Sequence, residues 1–314
     1  MEHFNYSQIQ VTEFIIIGFS SLREYTVLLF IMFLVVYLVT LIGNSVIFLT
    51  IKTDYQLNTP MYYFVSNLSV IDISYTSITM PKMLADFMVE NKTIPFAVCI
   101  IQMYLFLSLG ATECFLLSVM AFDRYAAICN PLHYTTVMTK TKCILLAAGA
   151  WLCGFLAPLP STILLLKLPL CGIKIQHCFC DHPPILQLAC TDISFNVAVG
   201  SSMSAIVIVL NCFLVGLSYV KIITAIFKIN TGKRRKAFST CSSHLIVVAL
   251  YFGSITFMYI RPKVSYSFET DTLVAVLYSV LTPMLNPIIY SLRNKEIIVS
   301  LQKNLQHMLL QTKS

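Results

Sequence analysis

Three groups of ionisable residues stand out because they interrupt or adjoin long apolar stretches. Asp72 and Glu113 each lie inside one such stretch, and the adjacent pair Asp123 and Arg124 follows another. Residues 177–182, with the sequence HCFCDH, bring two imidazoles and two thiols together. Carboxyl groups inside a membrane span mark ion or proton sites, and imidazole with thiolate is a ligand set for zinc or copper. The chemistries to weigh are therefore cation or proton binding, an ion pair and metal coordination.

The composition is that of a membrane protein. Hydrophobic residues make up 57% of the 314 residues and charged residues only 11%, with a mean hydropathy of +0.79, whereas soluble domains carry about 25% charged residues. A helix needs ~20 apolar residues to cross the hydrocarbon. Four charge-free stretches approach or exceed that length, at residues 25–51, 143–166, 193–220 and 273–292.

Three further spans appear when one ionisable residue is allowed in each. They are residues 61–80 around Asp72, 98–122 around Glu113 and 237–260 around His244. Strands of a membrane barrel alternate polar and apolar residues, whereas these stretches are continuously apolar. The sequence therefore predicts an all-α membrane protein with seven transmembrane helices.

The distribution of basic residues predicts how these helices are oriented. The loops on one side hold fourteen of the 21 Lys and Arg residues, so that side is cytoplasmic by the positive-inside rule and the N-terminus is extracellular. N-glycosylation sequons at Asn5 and Asn91 then lie outside. The net charge of +7 reflects cytoplasmic loops beside anionic lipid and implies no nucleic-acid partner.

One bundle of seven helices accounts for the whole chain. Residues 1–24 form an extracellular N-terminus, 25–293 the helix bundle and 294–314 a cytoplasmic tail. Apolar residues recur in this tail at helical spacing, which predicts a short amphipathic helix on the inner leaflet. These residues are Ile297, Ile298, Leu301, Leu305, Met308 and Leu309.

The predicted outer side holds five cysteines, whose pairing the residues leave open. An oxidising exterior allows disulfides, but an odd number leaves at least one cysteine free or paired elsewhere. A metal site at His177, Cys178 and His182 is the less favoured alternative, because the spacing is tighter than in usual zinc sites and disulfides compete for the thiols. The five cysteines are Cys99, Cys171, Cys178, Cys180 and Cys190.

A series of longer motifs runs the length of the bundle. In order they are GN at 43–44, NTPMYYFVSNLSVID at 58–72, MAFDRYAAICNPLHY at 120–134, SY at 218–219, KAFSTCSSH at 236–244 and PMLNPIIYSLRN at 283–294. Together they resemble the olfactory receptors, which are rhodopsin-like seven-helix G-protein-coupled receptors. The chain departs from the usual family residues at Asn58, Phe122 and Ala126, and Cys178 is an extra outer cysteine.

This resemblance implies roles for the polar residues. It implies disulfides Cys99–Cys180 and Cys171–Cys190, which leave Cys178 free. It implies a polar or ion site of Asp72 and Glu113 in the middle of the membrane, with Asn286 nearby.

The resemblance also implies a switch at the cytoplasmic end of the third helix. Asp123 would hold Arg124 in the resting state, and activation would release Arg124 to stack beside two tyrosines against a G-protein helix. The residues assigned to coupling and activation are Asp123, Arg124, Tyr125, Tyr219, Asn286, Pro287 and Tyr290.

By position in the family, residues of four helices would line a ligand site. Most are apolar, a few carry hydroxyls, and none is acidic or basic, which predicts a small, neutral, mostly hydrophobic odorant. The set comprises Met103, Phe106, Leu107, Gly110, Ala111, Met203, Ser204, Val207, Phe252, Ile255, Tyr259, Val276 and Ser279.

The predicted function is therefore an odorant-gated switch that needs no cofactor. The resemblance implies activation of a stimulatory heterotrimeric G protein, a rise in cyclic AMP, and a place in the plasma membrane of olfactory cilia. A transporter or channel built on Asp72 and Glu113 is disfavoured, because no inverted repeat is visible and only two acids lie within the spans. An enzyme is also disfavoured, because no nucleophile motif such as G-x-S-x-G occurs.

Overall fold

A bundle of long helices dominates the computed structural model, which describes residues 11–19, 24–228, 231–259, 268–292 and 296–303. The helices are α1 (Thr26–Thr53), α2 (Pro60–Met88), α3 (Phe96–Cys129), α4 (Tyr134–Val137), α5 (Lys140–Leu156), α6 (Leu159–Leu166), α7 (His182–Leu186), α8 (Ser194–Lys228), α9 (Thr231–Tyr259), α10 (Phe268–Val276) and α11 (Thr282–Leu292). A π-helical turn at Leu277–Leu281 joins α10 to α11.

These helices correspond to the predicted spans, with α5 and α6 together forming the fourth and α10 to α11 the seventh. In the described part of the chain, five segments are long and apolar enough to cross a membrane by themselves. The other two, α2 and α9, are each 29 residues long and pack within the same bundle. Polar residues lower the hydropathy of these two helices. Their backbone N–H and C=O groups are still hydrogen-bonded within the helix, which is what a span through lipid requires. The prediction of an all-α membrane bundle is confirmed.

Helix α3 lies at the centre of the bundle and α1 at its edge. α3 packs against α2, α5, α8 and α9, and 61% of an apolar 18-residue stretch of α3 is buried, against 11% for α1. α1 instead exposes a row of aliphatic side chains that includes Ile31, Val35 and Ile42. Such a surface would be unstable in water and is suited to lipid.

The contact between α1 and α11 shows how the bundle tolerates a proline inside a helix. Pro287 has no N–H to donate, which leaves the carbonyl of Pro283, four residues earlier, without its helical partner. The side-chain amide of Asn44 donates to that carbonyl at 3.1 Å. A Cβ atom at Gly43 would lie 3.1 Å from the Pro287 ring, so glycine permits the close approach.

Two disulfides and a small sheet close one end of the bundle, called here the disulfide end. Cys99 bonds to Cys180 and Cys171 to Cys190, the two pairs that the resemblance implies, and Cys178 is a buried free thiol. Strand β1 (Glu13–Ile16) pairs antiparallel with β2 (Thr93–Pro95) and parallel with β3 (Lys174–Ile175). The sequence did not predict this sheet, because strands of two to four residues are too short to show alternation.

Part of the predicted tail helix is described at the opposite end. Residues 296–303 are helical, Ile297 is fully buried, and the hydroxyl of Tyr62 donates to the Glu296 carboxylate at 2.7 Å. Leu305, Met308 and Leu309 lie outside the described residues.

The packing of α5 on α3 generates a prediction about two glycines of the same helix. A Cβ atom at Gly154 would lie 2.6 Å from the backbone nitrogen of Thr112, whereas one at Gly149 would meet no atom within 4 Å. We expect Gly154→Ala to lower the free energy of unfolding by at least about 2 kcal/mol, because backbone cannot move aside cheaply. Thermal unfolding of the protein in detergent measures the effect. Gly149→Ala is the matched control, and equal stability of the two variants would contradict this packing.

Candidate functional site

A cavity of about 290 Å³ lies among α3, α6, α8 and α9, towards the disulfide end. Its size is at the small end of the range for ligand pockets, about 300–1,000 Å³. Nine of the thirteen residues predicted to bind ligand line it. They are Phe106, Leu107, Gly110, Ala111, Met203, Ser204, Val207, Ile255 and Tyr259.

The structure places the other four predicted residues away from this cavity. Met103 packs with the apolar cluster under the disulfide end, and Phe252 lies edge-on to the Tyr251 ring in the main core. Val276 packs against the same core. Ser279 is buried and its hydroxyl donates to the carbonyl of Ala275. None of the four is among the residues that line the cavity.

The α3 side of the cavity depends on the missing side chain of Gly110. The hydroxyl of Tyr251 donates to the Gly110 carbonyl at 2.8 Å, and a Cβ atom at Gly110 would lie 3.3 Å from that hydroxyl oxygen. One turn earlier, the ring of Phe106 contacts Tyr75 and Phe179, with centroid distances of 4.7 and 4.6 Å. Aromatic packing therefore fixes this wall.

The loop between α6 and α8 covers the cavity and supplies residues that the sequence analysis did not assign to it. His182, Pro183, Leu186 and Gln187 all line the cavity. The loop reaches this position because Cys180 is tied to α3 by its disulfide and by a hydrogen bond from its backbone N–H to Gln102 Oε1 at 3.0 Å. No periodic pattern marks an irregular loop, so only the fold reveals these contacts.

A buried carboxylate connects this loop to the end of α9. Tyr259 donates its hydroxyl to Asp181 at 3.1 Å and also contacts the Tyr278 hydroxyl at 3.1 Å. Burial raises the pKa of Asp181 to about 6, although hydrogen bonds from the His182 backbone and Tyr259 oppose this shift. Burial lowers the pKa of His182 to about 4. Both groups therefore favour their neutral forms more than they would in water.

The possible metal ligands of the loop are not brought together. His177 Nδ1 lies 3.1 Å from the Phe179 carbonyl and 4.0 Å from Cys178 Sγ, whereas His182 lines the cavity. Burial raises the pKa of Cys178 to about 12, so the thiol is protonated. Within the described ranges, no three His, Cys, Asp or Glu side chains are grouped to hold a metal ion. The geometry therefore does not support the alternative of a metal site here.

The predicted polar site in the middle of the membrane contains one paired and one unpaired acid. Asn286 donates to both carboxylate oxygens of Asp72 at 3.1 Å. Glu113 is 1% exposed, and neither of its carboxyl oxygens has a hydrogen-bond partner among the described residues.

Asp123 and Arg124 form an ion pair at the end of α3 far from the disulfides. Asp123 is fully buried and also accepts a hydrogen bond from the Tyr134 hydroxyl at 2.7 Å. Burial and the nearby Asp123 raise the pKa of Tyr134, so its hydroxyl stays protonated and can donate this hydrogen bond. Arg124 and Tyr134 therefore both bind the Asp123 carboxylate at this end of the bundle.

The other residues assigned to coupling lie on α3 and on other helices of the bundle. The hydroxyl of Tyr219 hydrogen-bonds to His244 Nδ1 at 2.7 Å, and Lys221 Nζ lies 5.2 Å from the centre of the Tyr125 ring. Pro287 contacts α1 near Gly43. The side chain of Tyr290 is outside the described residues.

The buried carboxyl group of Asp181 predicts a pH dependence of stability. Its pKa in the fold, about 6, lies above the unfolded value of about 3.9, so the folded state binds this proton more tightly. Relative to Asp181→Asn, we expect the wild type to gain about 1 kcal/mol of stability between pH 7.5 and pH 5. Thermal unfolding of both proteins in detergent measures the difference. The same pH dependence of stability in the wild type and in Asp181→Asn would contradict a raised pKa of Asp181 in the fold.

The family model described as olfactory receptor matches residues 33–311. The chain is 51% identical to human olfactory receptor 6N1 over 299 residues, which cover 95% of this chain and 96% of that relative. It is 47% identical to human olfactory receptor 10C1, with 94% and 96% covered, and 47% identical to mouse olfactory receptor 5p57, with 96% and 97% covered. The chain therefore belongs to the olfactory receptor family and is a G-protein-coupled membrane receptor for odorants rather than an enzyme.

Proposed function

We propose that the cavity binds a small, neutral, mostly hydrophobic odorant and that the occupied receptor activates a stimulatory heterotrimeric G protein, which raises cyclic AMP. The observation that carries this proposal is the 290 Å³ cavity itself, lined on α3, α8 and α9 by apolar side chains and covered by the disulfide-tied loop. None of its described lining residues is Lys, Arg, Asp or Glu. A charged ligand would lose its hydration there without gaining an ion pair.

Helix α3 provides the connection between ligand and G protein. It contributes Phe106 and Gly110 to the cavity and carries the Asp123–Arg124 pair at its other end. An odorant that binds more tightly when this pair is broken shifts the population towards that state. We infer that the closed pair held by Tyr134 is the resting arrangement, and that released Arg124 contacts the G protein together with Tyr219 and Tyr290.

The acids in the middle of the membrane lie between these two ends on α2 and α3. Asp72 is held by Asn286 of α11, while the Glu113 carboxyl is buried without a partner among described residues. We propose that Asp72 and Glu113 form a site for a shared cation or proton whose occupancy differs between the two states.

The proposed location is the plasma membrane of olfactory cilia, with the disulfide end outside. An oxidising exterior agrees with two disulfides at that end. Asn91 is exposed there between α2 and β2, and we propose it as a glycosylation site. Asn5, the other proposed site, lies outside the described residues. Membrane lipid covers the aliphatic outer faces of the helices.

A pair of valines on α8 tests whether the cavity is the odorant site. Val207 lines the cavity, whereas Val209, on the same helix, is 60% exposed on the outer surface. In cells that express the stimulatory G protein, we expect Val207→Trp to raise the odorant concentration for half-maximal cyclic AMP at least about tenfold, because indole fills much of a small cavity. Val209→Trp is the control and should respond normally. Equal responses of both variants at equal surface expression would contradict this location.

The hydroxyl of Tyr134 tests the proposed switch. Tyr134→Phe removes one hydrogen bond to Asp123, and a bond to a charged group contributes about 1.5–3 kcal/mol. We expect Tyr134→Phe to raise basal cyclic AMP several-fold. Tyr55 is 81% exposed, so Tyr55→Phe serves as the matched control.

Arg124→Ala tests the coupling role of the arginine, and we expect it to abolish both basal and odorant-stimulated signalling. Full signalling by surface-expressed Arg124→Ala would refute that role.

A further inference from the structure

Four described tyrosines line the cavity, and the hydroxyl of one of them is free. Tyr251 donates its hydroxyl to a carbonyl of α3, and the hydroxyls of Tyr259 and Tyr278 contact each other at 3.1 Å. The fourth is Tyr75 of α2, whose hydroxyl forms no hydrogen bond to a described residue. A buried donor that the protein leaves unpaired is stabilised by any ligand group that accepts its proton.

The Tyr75 hydroxyl faces the cavity rather than packed protein. Tyr75 as a whole is only 2% exposed, yet its oxygen retains accessible surface, unlike the unpaired buried atoms of Glu113 and His182. A Cβ atom at Gly110 would lie 3.7 Å from this oxygen, and Gly110 and Phe106 both line the cavity beside it. The accessible surface of the hydroxyl therefore opens into the cavity.

The ring that carries this hydroxyl is held in place before any ligand binds. Its centre lies 4.7 Å from that of Phe106, whose ring in turn lies 4.6 Å from that of Phe179 in the covering loop. On the α3 side, a Cβ atom at Gly110 would meet Tyr75 Cε2 at 3.7 Å. Such pre-organisation reduces the entropy lost when a ligand bonds to the hydroxyl.

The hydrogen bonds of this wall restrict which ligand group fits. The neighbouring hydroxyl of Tyr251 already gives its proton to the Gly110 carbonyl, so the proton that is left to donate here belongs to Tyr75. A ketone, aldehyde or ester oxygen accepts this proton and brings none of its own, whereas an alcohol must also place its own proton. A carboxylate would be buried without a cation, because the described lining contains no Lys or Arg.

We propose that Tyr75 is the polar anchor of the odorant site and that the receptor takes small hydrophobic carbonyl compounds, whose oxygen accepts a hydrogen bond from the Tyr75 hydroxyl. This inference rests on the proposed function of the same cavity and specifies its ligand class. Tyr75 lies on α2 beside α3, so the carbonyl is on that side of the cavity. The hydrocarbon part then extends towards Met203 and Val207 of α8.

Matched pairs of ketone and 1,1-disubstituted alkene isolate the role of the carbonyl oxygen. Replacing C=O by C=CH2 keeps nearly the same shape and removes the acceptor. Compounds of about six to ten carbons suit a cavity of this size. The readout is the concentration for half-maximal cyclic AMP at equal surface expression. We expect the wild type to respond to each ketone at an about tenfold lower concentration than to its alkene, as one hydrogen bond predicts.

Tyr75→Phe removes the hydroxyl and keeps the ring. We expect this variant to respond about tenfold more weakly to ketones and at least as strongly as the wild type to alkenes, because no unpaired hydroxyl is left beside an apolar ligand. A purely structural role of Tyr75 would weaken both responses equally. Tyr104→Phe is the matched control, since its hydroxyl donates to the Phe155 carbonyl at 2.9 Å and Tyr104 is not a lining residue. It should keep the ketone preference.

The possible failures point to different conclusions. The anchor is refuted if the wild type treats ketones and alkenes alike, if it responds to no carbonyl compound while a known receptor signals in the same cells, or if Tyr75→Phe keeps the preference. An equal loss of both responses in Tyr75→Phe also refutes it. In each of these cases the odorant site itself stands. If Val207→Trp leaves the ketone responses unchanged, the cavity is not the odorant site, and the proposed function fails together with the anchor.

Discussion

Lipid offers polar groups no hydrogen-bond partner, and the internal arrangement of this protein follows from that constraint. A helix pairs most of its own backbone N–H and C=O groups by hydrogen bonds. Polar groups that stay unpaired must therefore find partners on neighbouring helices. Pro287 has no N–H to donate to the carbonyl of Pro283, and the side-chain amide of Asn44 in α1 donates to that carbonyl instead. Asn286 of α11 supplies both hydrogen bonds to Asp72 of α2. These polar contacts join α1 to α11 and α11 to α2 inside the bundle.

The same constraint separates structural polar groups from those available for function. Asp123 is satisfied by Arg124 and Tyr134, and Asp181 by Tyr259 and the His182 backbone. Glu113 and His182 Nε2, by contrast, are buried without a partner in the described part of the chain. Buried groups of this kind are costly. Glu113 lies on α3, the helix that contacts the cavity and carries the Arg124 pair, whereas His182 belongs to the covering loop and lies against α8.

Much of the bundle was predictable because hydropathy and helix period are local properties. The apolar stretches located the long helices of the described bundle, including those that contain Asp72, Glu113 and His244. Met103, Phe106 and Gly110 recur in the sequence at three- and four-residue spacing, which places them on one face of α3. Met103 fits the same repeat but packs under the disulfides, because a repeat identifies a face and not the depth at which a cavity opens on it.

The sequence by itself determined the helical membrane class, the family resemblance and the residues that would be polar inside lipid, since each depends on residue type and spacing along the chain. Only the tertiary structure decided that the loop after α6 folds over the cavity, that Asp181 bonds to α9, and that His182 lines the cavity. These contacts join residues far apart in the chain through irregular backbone and a disulfide, and no local pattern encodes such geometry.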